Sequence, residues 1–313
     1  MAPRFKKRRG VLVSDRSAGV VAFAFGACVL ALTGLLAYQL WANSAASRTK
    51  FGWAFLLTGS WDPVAGDFGA APFIYGTLVT SAIALLVAVP LGIGVSIFLA
   101  ELAPPALSDG AGLLLELLAA VPSVVYGLVG VSVLVPLMRT WIEPGLRMLA
   151  PGVPLFRGPD LGVGFLTAGL VLAVMVIPFI VSMGREVLLA VPREQREAAL
   201  ALGSTRWESV WRVVVPYARP GLYGAIFLAL GRALGETMAV TMVIGNRPEI
   251  AASLFAPGYS MAAVIANEFT EATGDLYLSA LVEIGLVLFV LTMIINAAAR
   301  LLIVATSRKA SAA

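Results

Sequence analysis

Apolar residues recur in six long runs, and those runs constrain this chain more than any other feature. A hydrocarbon core about 30 Å thick needs about 20 consecutive apolar residues in helical form. The runs at roughly 18–41, 72–100, 111–138, 162–190, 218–245 and 277–306 meet that length. None alternates with a period of two, so the backbone groups are satisfied within helices rather than in a closed barrel. Composition agrees. Of 313 residues 59% are hydrophobic and 13% charged, with a mean hydropathy of +0.92, whereas soluble domains carry about 25% charged residues. The sequence predicts an all-α integral membrane protein with six transmembrane helices.

Several chemistries are excluded early. The chain has no histidine, which removes the commonest metal ligand and the usual general base. Its single cysteine, Cys28, lies inside the first run, so neither an intrachain disulfide nor a thiolate cluster can form. No catalytic residue and no metal-ligating set is expected.

Basic residues orient the spans. With the N-terminus inside, fifteen Lys and Arg face the cytoplasm, including Lys6, Lys7, Arg8 and Arg9, the set from Arg185 to Arg219, and Arg300, Arg308 and Lys309. Six face outward: Arg48, Lys50, Arg139, Arg147, Arg157 and Arg247. That is a positive-inside bias. The first run, about 24 residues long, exceeds the 7–15 of a signal-peptide core and reads as an uncleaved anchor. Residues 1–17 form a basic cytoplasmic tail, 18–71 the first span and its outer loop, 72–306 the core transmembrane domain, and 307–313 a cytoplasmic tail. The outer loops 42–71, 139–161 and 246–276 are rich in aromatics, Pro and Gly, as interfacial belts or as docking surfaces.

One segment, at about 191–217, is too polar for the bilayer. Pro192 suits a first helical turn, Glu194 and Glu197 follow it, and Gly203 stands where a C′ glycine ends a helix. Thr205 and Glu208 form a capping box that opens a second helix. On it Trp207, Val210, Trp211 and Val214 share one face at i, i+3, i+4 and i+7, and Pro216 closes it. The expectation is a cytoplasmic pair of short helices at an angle, lying along the membrane surface.

Within the fifth run, Arg232 and Glu236 are four apart, so a continuous helix puts them on one face. A charge at mid-bilayer costs roughly 2.5–3.5 kcal/mol on insertion scales, and Gly224, Gly231 and Gly235 leave room for a second helix. Two readings fit: an ion pair locking helix to helix, or a cationic site on an anion's path, with Glu236 steadying Arg232 and Thr237 and Thr241 adding hydroxyls. A planar guanidinium suits a tetrahedral oxyanion. Glu116 and Glu283 are the other acids deep in apolar runs, and Thr77, Thr80 and Ser81 read as contacts between helices.

The segment Glu197-Ala198-Ala199, three residues, Gly203, nine residues, Val213, one residue, Val215-Pro216 resembles the EAA loop of ABC importer permeases, with Val at two positions where the family has Ile and Leu. The resemblance implies the six-helix type I importer (MetI-like) permease fold and a coupling helix–turn–helix seated in a groove of a cytoplasmic ATPase. VPSVVYGLVG at 121–130 and LGRALGETMAVTMVIGN at 230–246 resemble more narrowly the permeases of phosphate importers of the PstC type. That resemblance implies a substrate pathway at Arg232, Glu236, Thr237 and Thr241, and ATPase coupling through Glu197, Ala198, Ala199, Gly203, Trp207 and Pro216. It also implies a sister permease of the PstA type, two ATPase subunits of the PstB type holding ATP and Mg, a phosphate-binding protein of the PstS type, and residence in the bacterial plasma membrane with both termini cytoplasmic. No cofactor in this chain and no nucleic-acid partner is implied.

The alternatives differ in kind. A permease for sulfate, molybdate or a phosphonate carries the same EAA segment, and only the fifth-run motif argues for phosphate. A secondary transporter or channel would use Arg232 and Glu236 as a relay and survive a disabled ATPase. A DNA-binding regulator would reuse the helix–turn–helix, but a segment pinned between two spans cannot reach a major groove. A phosphate-sensing scaffold is compatible with transport.

Overall fold

The computed structural model of the chain describes residues 15–310; the basic cluster Lys6, Lys7, Arg8 and Arg9 and the last three residues lie outside them. Six helices are long and apolar enough to cross a membrane. Helix α1 (Asp15–Asn43) buries none of its most apolar stretch against the rest of the chain. Ser44 turns it into α2 (Ala45–Phe51), where Arg48 lies over the Trp41 ring at 3.5 Å. A short antiparallel hairpin follows, β1 (Trp61–Asp62) with β2 (Asp67–Phe68), in which Trp61 faces Phe68.

The second span is α3 (Ala71–Ile97), prolonged by a π turn at Phe98–Leu102. The fourth is α8 (Phe165–Leu189). These two pack together along most of their length because small residues line their seam. A Cβ on Gly92 would stand 2.7 Å from Ile180, one on Gly169 2.5 Å from Ile83, and one on Gly184 2.8 Å from Ser96. Ala84, Ala88, Leu172, Val176 and Ile180 are fully buried around that contact.

The third span differs from the expectation of 111–138. Helix α4 (Pro105–Ala119) is separate, and the membrane-length helix is Ser123–Leu149. Pro122 explains the shift: it holds an extended conformation and disfavours helix in the residue before it, so the apolar run is cut there. The span is built of α5 (Ser123–Val129), a π turn (Gly130–Leu134), α6 (Val135–Leu137), a second π turn (Met138–Ile142) and α7 (Glu143–Leu149). Residues 139–149, expected in an outer loop, are therefore helical. Glu116, expected deep in this run, is exposed on α4.

The polar segment contains α9 (Arg193–Ala201) and α10 (Arg206–Ser209). Pro216 does not close the second helix: α10 runs through a π turn (Val210–Val214) into α11 (Val215–Leu234), one membrane-length helix from Arg206 to Leu234. Three prolines share this device. The backbone N–H groups of Val135, Glu143 and Val215 each reach back five residues, and Pro136, Pro144 and Pro216 come next. The wider ring moves the hydrogen-bond register past a residue that has no N–H to give.

After α11 come α12 (Met238–Val243), α13 (Met261–Glu268) and α14 (Asp275–Ala310). The loop between α12 and α13, expected as an interfacial belt or a docking surface, is packed into the fold. Its carbonyls at Ala256 and Leu254 accept from the N–H groups of Phe165 and Leu166, capping α8. Thr77 Oγ1 accepts from Met261 N at 2.9 Å, which makes it a contact between elements as expected. Burial pushes the Tyr259 phenol well above its ordinary range. Around it Phe55, Phe68 and Phe73 are buried, and Glu268 accepts from Trp61 Nε1 (2.8 Å) and Tyr277 Oη (2.6 Å). Glu283, on α14, is buried as expected.

Replacing Gly92 with Val should wedge the α3–α8 seam and cost about 1–3 kcal/mol, the usual range for overpacking. Gly110, with open space around its Cα, supplies the control as Gly110→Ala. Melting followed by size-exclusion chromatography in detergent should show a lower Tm for Gly92→Val alone; equal melting of both variants would contradict the tight seam.

Candidate functional site

Two regions carry chemistry that a purely lipid-facing protein would not need. The first is the polar end. Pro192 is the N-cap of α9, one residue earlier than expected. Gly203 takes φ +87°, the left-handed conformation that glycine reaches without strain. Both halves of the Thr205–Glu208 capping box are formed, with Glu208 N to Thr205 Oγ1 at 3.3 Å and Thr205 N to Glu208 Oε2 at 2.9 Å.

The expected single face of the second helix is divided. Val210 and Val214 are buried with Ile97, Leu188 and Leu222, whereas Trp207 and Trp211 stay exposed with their rings edge to face at 5.6 Å. The π turn widens the helix there, so the four residues no longer stack in one stripe. Glu197 and Ala198 are exposed and Ala199 is buried. Leu202, in the same polar segment, is 90% exposed, and Trp207 is exposed as well. Large apolar groups displayed together outside the lipid mark a place where another protein sits.

A clamp that sequence reasoning missed holds this surface in place. Arg196 donates from Nη2 to Glu101 Oε1 at 2.7 Å and from Nε to both Glu101 oxygens at 3.2 Å, a forked pair with both side chains largely covered. The same guanidinium donates to the carbonyl of Leu188 in the last turn of α8 and to that of Val191 just beyond it. Arg196 thus ties α9 to the ends of α3 and α8 at once. Nearby, Arg185 binds Ser108 and Asp109 and holds α4 against α8. The only sequence signal for the clamp was a short turn, 101–110, that carries two acids and no basic residue.

The second region is a break in the fifth span. Arg232 and Glu236 do not share a helix face. Helix α11 ends at Leu234, Gly235 is its C-cap, and Glu236 lies in the turn before α12. Among the described residues three ion pairs occur, and none joins Arg232 to Glu236. Glu236 Oε1 instead accepts from Ala239 N at 3.2 Å, serving the otherwise unsatisfied first turn of α12. The hydroxyls expected to face a substrate also bond to backbone: Thr241 Oγ1 donates to Thr237 O at 2.8 Å, and Thr237 Oγ1 to Gly235 O at 3.4 Å. Gly245 (φ +94°) and Asn246 (φ +52°) then turn the chain out of α12.

Arg232 is half-buried on the last turn of α11, with its Cζ 5.9 Å from the centroid of the Phe179 ring. The two segments singled out in the sequence meet here. A Cβ on Gly127 would stand 2.6 Å from Met242 Sδ, and one on Gly130 3.0 Å from Val243, so α5 and α12 pack backbone to backbone. Tyr126, on α5, donates to Leu118 O at 2.7 Å and bridges the cut at Pro122.

Comparison with known proteins matches residues 92–308 to the family described as binding-protein-dependent transport system inner membrane components. The chain is 51% identical over 276 residues to the phosphate transport system permease protein PstC of Mesorhizobium japonicum, covering 87% of this chain and 84% of that protein. It is 48% identical to the protein of the same name from Xylella fastidiosa, covering 90% and 87%. A probable phosphate transport system permease protein PstC of Methanocaldococcus jannaschii is 38% identical, covering 81% and 82%. Among solved structures, a bacterial alginate ABC transporter chain superposes with a TM-score of 0.57 at 15% identity, covering 91% of this chain and 93% of that one. An inward-facing MetNI methionine ABC transporter chain gives 0.54 at 19%, covering 75% and 96%. At those identities the likeness establishes the fold, that of type I ABC importer permeases.

Substituting Glu101 by Ala should free α9 from the core. Losing hydrogen bonds to a charged group costs about 1.5–3 kcal/mol, so amide exchange across Glu194–Leu200 should accelerate by one to two orders of magnitude while α8 keeps its protection. Unchanged exchange would show that the clamp does not hold the helix.

Proposed function

The chain belongs to the binding-protein-dependent transport system inner membrane components, within them to the PstC-type phosphate permeases, and from that premise we propose that it is the transmembrane permease subunit of an ATP-driven phosphate importer. It forms half of the translocation pathway; a sister permease of the PstA type forms the other half. The observation that carries the reading is Arg232, a half-buried cation inside a membrane span with no carboxylate partner among the described residues, beside a break in the helix. A cation kept at that depth without a counter-ion needs a reason, and a transient oxyanion supplies one.

Coupling follows from the polar end. Glu197, Ala198, Gly203 and Trp207 present a capped, exposed surface to a cytoplasmic ATPase dimer of the PstB type, which holds the ATP and Mg, and buried Ala199 seats that surface on the fold. Pro216 sits where that surface passes into the fifth span. Hydrolysis belongs to the partner, and this chain supplies no cofactor and no catalytic group. A phosphate-binding protein of the PstS type delivers cargo from outside, and both termini lie in the cytoplasm of a bacterial cell.

Two measurements test this. Arg232→Gln should reduce phosphate uptake at least a hundredfold in cells lacking other importers while the complex still co-purifies; normal uptake would make Arg232 a packing device, and uptake of sulfate alone would reassign the cargo. Gly203→Pro and Glu197→Lys should each abolish the stimulation of ATPase activity by phosphate-loaded binding protein in the reconstituted complex. Stimulation at the native level would remove the polar segment from the coupling path.

A further inference from the structure

The arrangement around Arg232 leaves one group without an assigned role. Glu236, the nearest acid in sequence, is committed to the Ala239 N–H, and the Arg232 guanidinium has neither an ion pair nor a side-chain hydrogen bond among the described residues. What it has is the face of Phe179, at 5.9 Å. Phe179 follows Pro178 on α8 and precedes Ile180, the residue seated against Gly92 in the α3–α8 seam, so its backbone is among the best fixed in the molecule.

We propose that Phe179 is a positioning residue for anion passage: its ring holds the Arg232 guanidinium beside the helix break without consuming any of its N–H donors. The proposal rests on the reading that Arg232 meets the anion. A carboxylate partner would occupy two donors in a fork and neutralise the charge, and an arriving phosphate would then have to displace it. An aromatic face attracts the cation through its quadrupole, offsets part of the desolvation, and leaves all five N–H groups free at the guanidinium edge. The contact is weak enough to be left, as a pathway requires.

The test separates ring electronics from packing. In the complete reconstituted complex with saturating phosphate-loaded binding protein, Phe179 is replaced by its mono-, di- and trifluorinated analogues, which keep the ring's shape while draining its negative face. Phosphate delivered per ATP hydrolysed should fall stepwise along the series, by about fivefold or more at the trifluoro ring, with ATPase stimulation within twofold of native. Phe179→Leu should fall at least as far, and Phe179→Trp should transport within twofold of native. A flat fluorination series, or a Trp variant as impaired as the Leu variant, would overturn the proposal and leave Phe179 as packing. Native transport by Arg232→Gln would instead remove the reading beneath it, whatever the series shows.

Discussion

The α3–α8 seam is the contact on which the other elements depend. In a bilayer the hydrophobic effect does not press helices together, so close backbone approach and the dispersion contacts it permits have to hold them. Gly92, Gly169 and Gly184 provide that approach, each with a partner side chain already within van der Waals reach of where a Cβ would be. Helices α4, α11 and α12 then lean on α8, and the loop at 243–256 closes over its first turn. The ring of Phe179 is mounted on this one helix, whose first turn takes the loop's cap and whose last turn takes one arm of the Arg196 clamp.

The second constraint is that every backbone amide inside the membrane has to find a partner in the protein. Proline would leave a carbonyl unmatched, and this chain places several within its spans. At Pro136, Pro144 and Pro216 the helix widens for a single turn just before the ring. At Gly235 it stops outright, and the Glu236 side chain serves the next helix. The molecule thus treats two interruptions differently: one kind is absorbed and the other is exposed as a break.

Much of this was legible in the residues. Apolar length gave six spans, and the capping box and the C′ glycine at Gly203 were readable because each is a local bargain among neighbours in sequence. The misreadings share a cause. The expectation at Pro216 rests on what proline does in an isolated helix, yet a register shift absorbs it, and the apolar run at 111–138 conceals the boundary that Pro122 sets. Arg232 and Glu236 were paired by their spacing, but spacing implies a shared face only in an unbroken helix, and the glycine between them ends it. The Arg196–Glu101 clamp and the Phe179 contact join residues distant in sequence, where periodicity carries no information.

The continuity of the helix from Arg206 to Leu234 has a mechanical meaning. At a rise of 1.5 Å per residue, Thr205's cap and Arg232 sit at opposite ends of a shaft roughly 40 Å long. Rocking such a shaft by ten degrees about its middle swings either end by roughly 3–4 Å, more than the length of a hydrogen bond. A small tilt of the tryptophan end is therefore enough to make or break a polar contact of the Arg232 guanidinium.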